Sequence, residues 1–150
     1  MRALIQRVKN AAVIIDGKQY SSIDKGLLVF LGVGEKDEES DLEWLAGKIS
    51  QMRIFDDEKG VMNLSLKEIG GDLLLVSQFT LMASTAKGNR PSYIRAARPE
   101  KAVPLYKQMI SRLSEITGKQ VQSGLFGADM QVQLINDGPV TIFIDSANKE

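Results

Sequence analysis

The chain has 150 residues with 43% apolar and 25% charged side chains, the balance of one soluble globular domain with a sizeable core. Nineteen basic and nineteen acidic residues give zero formal charge, so no global field draws the protein to nucleic acid or membrane. There is no cysteine and no histidine, which excludes a disulfide scaffold, thiol catalysis, the common zinc sets and the usual general base.

Taken in chain order, residues 2–8 and 11–16 are predicted strands, and Asp16-Gly17 signals a hairpin before residues 18–20. The opening Met1 to Val8 is too short and too quickly charged for a signal peptide, and no apolar run reaches the ~18 residues of a membrane span; a cytoplasmic protein is expected. Gly26 to Gly34 encloses Leu27-Leu28-Val29-Phe30-Leu31, a continuous apolar run suited to a buried strand. Residues 35–43 carry six acids and one lysine, expected as solvated surface. Residues 39–52 are a predicted helix with Leu42, Leu45, Ile49 and Met52 on one face, and Ser40 and Glu43 as a capping box.

A short strand is expected over 53–55, and a buried strand runs from Asp72 to Leu81. Residues 83–98 look irregular. A second helix starts near Pro99 and ends before Gly118, with Leu105, Met109, Leu113 and Ile116 as its apolar stripe. Residues 119–128 form a Gly-rich connection, and 130–135 and 140–145 are final strands flanking Gly138-Pro139. Many strands with two separated helices predict a single α+β domain, mostly antiparallel, with a barrel-like core.

Three segments could carry chemistry. Ser77-Gln78-Phe79-Thr80 is either a core strand or a strand end offering backbone N–H groups, an amide and a hydroxyl to a bound group. A Ser or Thr nucleophile lacks its usual base here, whereas backbone donors to an oxyanion need none. Gly138-Pro139 is either an ordinary trans turn or a rigid presentation of backbone groups. Residues 87–101 hold five bases and one acid among Gly88, Pro91, Ser92 and Tyr93, a loop suited to phosphate. No pattern points to a metal or a cofactor.

The chain resembles the D-aminoacyl-tRNA deacylases nearly end to end. The resemblance is carried by Met1 to Val8, Arg53-Ile54-Phe55, Met62-Asn63-Leu64, Ser77-Gln78-Phe79-Thr80-Leu81, Arg90-Pro91-Ser92, Ala128-Asp129-Met130-Gln131-Val132 and Asn136-Asp137-Gly138-Pro139-Val140-Thr141. It implies an editing hydrolase that cleaves the ester of D-aminoacyl-tRNA, and of glycyl-tRNA, while rejecting L-residues. It implies a homodimer with active sites at the subunit interface, in which a cis Gly138-Pro139 enters the partner's pocket. Ser77, Gln78, Phe79 and Thr80 are then the catalytic residues, Gly138, Pro139, Asn136 and Arg7 bind or orient substrate, and Lys87, Arg90 and Arg95 touch tRNA. The tRNA 2′-hydroxyl assists catalysis, with a Thr80 nucleophile and a non-catalytic module for aminoacylated tRNA ends as the competing expectations.

Overall fold

The computed structural model describes residues 1–149. Its organising element is β1 (Arg2–Ile15), one continuous strand where two were expected. Side chains of a strand alternate between faces. Here Ala3 and Ile5 face one apolar cluster, while Val8, Ala11 and Val13 face a second. The three-residue step from Val8 to Ala11 breaks the alternation, and the pairing of β1 with the last strand shifts register at the same place. One strand thereby serves two cores.

Asp16 and Gly17 both take positive φ, 50° and 73°, the backbone of a tight hairpin turn. They lead into β2 (Lys18–Ile23), antiparallel to the second half of β1. Next, β3 (Gly26–Gly32) lies antiparallel to the first half of β1 and parallel to β6 (Asp72–Ser77). Both have continuous apolar interiors, Leu27 to Leu31 and Leu73 to Val76, because both faces are covered. Leu27, Val29, Leu31, Leu73 and Leu75 pack under the helices, and Leu28, Leu74 and Val76 fill the other side.

Between β3 and β6 come α1 (Glu39–Gln51) and a small hairpin of β4 (Phe55–Asp56) and β5 (Met62–Leu64). The capping box of α1 is Glu38 with Asp41, not Ser40 with Glu43; the Asp41 carboxylate accepts the Glu38 N–H at 2.9 Å. Sequence favours a hydroxyl at this position, but a carboxylate satisfies the same orphan donors. Asp37 departs from the solvated acidic run as well. It is buried, accepts the Gly34 N–H at 2.6 Å and pairs with the Met1 ammonium at 2.8 Å.

The strand expected over 72–81 ends at Ser77, and Phe79–Met82 turn into a 3-10 helix. The second long helix, α2 (Pro99–Thr117), begins on Pro99 and stops at Gly118 in the left-handed region. Its buried stripe is Ala102, Tyr106, Met109 and Leu113, rotated slightly from the expected one. Leu105 and Ile116 lie at its margin. Pro104 lies inside the helix, in its second turn, and leaves the Glu100 carbonyl without an intrahelical donor.

The connection 119–128 contains a strand that two residues could not announce, β7 (Gln122–Ser123), parallel to β6. The Ser21 hydroxyl donates to the Ser123 carbonyl at 2.9 Å, so β7 reaches β2 and nearly closes a barrel through β1, β3 and β6. The last element, β8 (Gln131–Asp145), is a single strand paired along both halves of β1. The result is a one-domain α+β fold with a mixed, largely antiparallel sheet, a barrel-like core and two helices over one face. Among the described residues no helix is long and apolar enough to cross a membrane.

Candidate active site

Strand β6, the 3-10 helix and the 126–132 segment enclose a cavity of about 320 Å³, the size of a small-ligand pocket. Ser77, Gln78 and Phe79 form one wall at the carboxyl end of β6. Val33, Ala97 and Ala102 form another. Tyr106, Phe126 and Met130 complete it, with Asp129 as the lining's charged side chain.

The wall is set by backbone. The Gln78 N–H donates to the Leu31 carbonyl at 2.7 Å, which holds the strand end against β3. Phe79 and Thr80 then occupy the first turn of a 3-10 helix, where N–H groups have no intrahelical acceptor. The Gln78 side-chain amide donates to the Thr80 hydroxyl oxygen. Thr80 itself faces a neighbouring groove with Leu4, Phe30 and Leu81, not the cavity. Phe79 is exposed and meets Tyr93 edge to face, ring centres 5.1 Å apart.

Tyr106 closes the floor. Its hydroxyl donates to the Leu75 carbonyl at 2.7 Å, and burial pushes the phenol's pKa up, so it stays a neutral donor. The α2 face carrying it was legible as an apolar stripe, but its role as cavity floor was not. Asp129 was also missed as a lining residue; it gave no signal beyond its place in the Ala128-Asp129-Met130 run.

Gly138-Pro139 lies elsewhere on the chain and does not line this cavity. Its peptide bond is cis. Gln6 pairs with Thr141 and Val8 with Asn136, so four residues, Asp137 to Val140, stand opposite Arg7 alone. They leave the sheet as a projecting bulge. Arg7 is buried behind it and donates to the Asp137 carbonyl at 2.8 Å and to the Ile54 carbonyl at 2.7 Å. Asp56 lies 3.3 Å from the same guanidinium. Asn136 spans the bulge from the other side: its oxygen accepts the Val140 N–H at 2.8 Å and its nitrogen donates to the Val140 carbonyl at 3.2 Å. A Cβ on Gly138, whose φ is +143°, would meet Val140 Cγ2 at 2.7 Å.

The expected site residues therefore form two constellations on one chain: Ser77, Gln78 and Phe79 around the cavity, with Thr80 just outside it, and Arg7, Asn136, Gly138 and Pro139 in the bulge. Lys87, Arg90 and Arg95 form neither. They are exposed on the irregular segment beyond the 3-10 helix, whose base is pinned by paired Ser84–Ser92 backbone bonds of 2.9 Å. Among the described residues, no cluster of three or more acidic side chains could hold a metal ion.

Residues 4–145 match the D-Tyr-tRNA(Tyr) deacylase family. Curated relatives named D-aminoacyl-tRNA deacylase include those of Parabacteroides distasonis, 58% identical over 150 residues, and Cytophaga hutchinsonii, 61% identical over 150 residues; each pair is covered 100% on both sides. A solved structure described as the c-Myc DNA Unwinding Element Binding Protein superposes with a TM-score of 0.91 at 38% identity, covering 97% of this chain and 98% of that one. A probable eukaryotic D-amino acid tRNA deacylase shares the fold with a TM-score of 0.82 at 18% identity, over 95% of this chain and 97% of its own.

Proposed function

As the chain belongs to the D-Tyr-tRNA(Tyr) deacylase family and is a D-aminoacyl-tRNA deacylase, a carboxylic ester hydrolase, we propose that it sorts its substrates by shape at the Gly138-Pro139 bulge and lets the RNA drive its own cleavage. The observation that carries this reading is the bulge itself. It projects from the sheet, is braced from both sides, and lines no part of its own chain's cavity. A rigid projection of this kind suits insertion into a second copy's cavity, so the working enzyme is a homodimer with a shared site at each end of the interface.

In that arrangement the Gly138 and Pro139 backbone faces the substrate's α-carbon beside Ser77, Gln78 and Phe79. A D-residue turns its side chain away. An L-residue drives its Cβ into a wall that cannot yield, at a cost of about 1–3 kcal/mol or more. Glycine has no Cβ, so glycyl-tRNA passes the filter and is cleaved too. Side-chain selectivity is broad, because a site that works by exclusion need not grip the side chain.

For the chemistry, the first-turn N–H groups of Phe79 and Thr80 receive the charge that develops on the carbonyl oxygen. The 2′-hydroxyl of the terminal ribose orients or activates the attacking water. The water's oxygen bonds to the carbonyl carbon, the ester bond breaks, and the ribose oxygen leaves with a proton. Positioning alone contributes about 7–11 kcal/mol to such a step. No histidine is required. The Asp129 carboxylate at the cavity wall suits the substrate's α-ammonium. The exposed Lys87, Arg90 and Arg95 meet the phosphates of the acceptor end, and the setting is the cytoplasm, where aminoacyl-tRNA is made and used.

The deciding experiment compares deacylation of D-tyrosyl-tRNA by Thr80→Ala with cleavage of the same ester on a 2′-deoxy terminal adenosine by the unaltered enzyme. The expected outcome is substantial activity in the variant and its loss with the deoxy substrate. The opposite pattern would make the Thr80 hydroxyl the nucleophile.

A further inference from the structure

We infer that Asn136 is a positioning residue whose side-chain amide acts as a substitute peptide group, closing the Gly138-Pro139 bulge and holding it at the depth that discriminates D- from L-substrates. The inference rests on the chiral-filter reading of that bulge. It assigns Asn136 to the chain itself, where sequence alone placed it among substrate-binding residues.

Four residues stand opposite one at this point of the β1–β8 pairing, so the backbone N–H and C=O of Val140 lose the partners a regular ladder supplies. Asn136 replaces both. Its Oδ1 accepts from Val140 N at 2.8 Å, and its Nδ2 donates to Val140 O at 3.2 Å. That is the donor–acceptor pair of a ladder peptide, presented by a side chain four residues upstream. The second hydrogen of Nδ2 goes to the Thr141 Oγ1 at 3.0 Å, which also accepts from Gln6 Nε2 at 3.2 Å. The amide's three contacts are thus all internal.

Arg7 cannot do the same work. It grips the bulge at Asp137 O, before Gly138, and is anchored to Ile54 O. Asn136 grips it at Val140, after Pro139. With both in place the two residues between are fixed at each end. With Arg7 alone, the downstream end swings on an unpaired Val140. Only an amide can serve: aspartate keeps the acceptor but presents no donor to Val140 O, and serine is too short to present both.

The test is kcat/KM for D-tyrosyl-tRNA and for L-tyrosyl-tRNA with the full-length enzyme and Asn136→Ala, Asn136→Asp and Gln6→Ala, together with hydrogen exchange of the Val140 amide. Expected for Asn136→Ala is a D-over-L ratio lowered roughly tenfold, the size set by losing two net hydrogen bonds. KM for the D-substrate should hold, and the Val140 amide should exchange faster. Asn136→Asp should keep the Val140 N–H protected and lose less of the ratio, and Gln6→Ala should change neither.

A raised KM for the D-substrate with an intact ratio would make Asn136 a substrate contact and overturn the inference, as would unchanged Val140 exchange in Asn136→Ala. Pro139→Ala separates this from the reading beneath it. If that variant leaves the ratio unaltered, the bulge is not the filter and Asn136's role in selectivity falls with it, even where Val140 exchange shows the clamp to be real.

Discussion

At the residue scale, Gly138 has little freedom to change. Its φ of +143° is a conformation L side chains rarely adopt, and an added Cβ would stand 2.7 Å from Val140 Cγ2 and 3.4 Å from the Arg7 guanidinium. Gly138→Ala is expected to cost about 1–3 kcal/mol of stability and to lower D-over-L selectivity, checked by denaturant unfolding and paired deacylation assays. Asp129 poses a different question, because a carboxylate on the cavity wall could bind the α-ammonium or serve as a base. Asp129→Asn should raise KM with kcat largely kept. A kcat collapse with KM unchanged would make Asp129 the general base and displace the RNA from that role.

Elements explain why these residues hold their places. The β4–β5 hairpin is tied to the bulge through Arg7, which donates to Ile54 just before β4. The turn of that hairpin depends on Asp57. Its carboxylate accepts the Val61 and Lys59 N–H groups, which hold its pKa below the ordinary 3.8, with the Asn63 amide assisting. A depressed carboxylate contributes stability that is whole above its unfolded value and drains away as pH falls through the lower folded one. The hairpin should therefore loosen below about pH 3.8 in hydrogen exchange at Val61; Asp57→Asn should show that looseness already at neutral pH. The helical layer is simpler. Met109 is fully buried on α2, so Met109→Ala should cost about 2–5 kcal/mol in chemical unfolding.

At the scale of the whole molecule, the two constellations are held apart on one chain along the first half of β8, from the cavity-lining Val132 to the bulge at 137–140. The strand that carries the bulge pairs with β1 on one side, and among the described residues no strand lies on its opposite edge. Ile135 and Phe143 are each 52% exposed along it, the kind of edge and apolar surface that a second copy can cover. Deacylase activity should therefore fall on dilution in step with loss of a dimer of 16.5 kDa chains, followed by sedimentation; constant specific activity in a monomer would remove the shared site. In the proposed dimer, the bases of the 83–98 segment would meet tRNA from outside the interface. Neutralising Arg90 and Arg95 together should raise KM for tRNA and flatten its salt dependence, since each phosphate contact carries its own counterion release.

Sequence by itself determined the elements whose signals are local. The Asp16-Gly17 turn, the apolar runs of β3 and β6, and the Pro99 and Gly118 ends of α2 follow from backbone preference and hydrophobic period. The Ser77–Thr80 and Asn136–Thr141 motifs were legible too, because their order and spacing are specific. Tertiary structure alone decided what those motifs touch. It joined 2–8 to 11–16 across a bulge, made Asp37 a buried partner of Gly34 and Met1, and recruited the two residues of β7 into a sheet. It brought Tyr106 and Asp129 to the cavity and turned the Asn136 amide inward onto Val140. These pairings join groups that only a folded sheet brings into register, and a hydrogen bond or a cavity wall depends on distance in space, to which separation along the chain is blind.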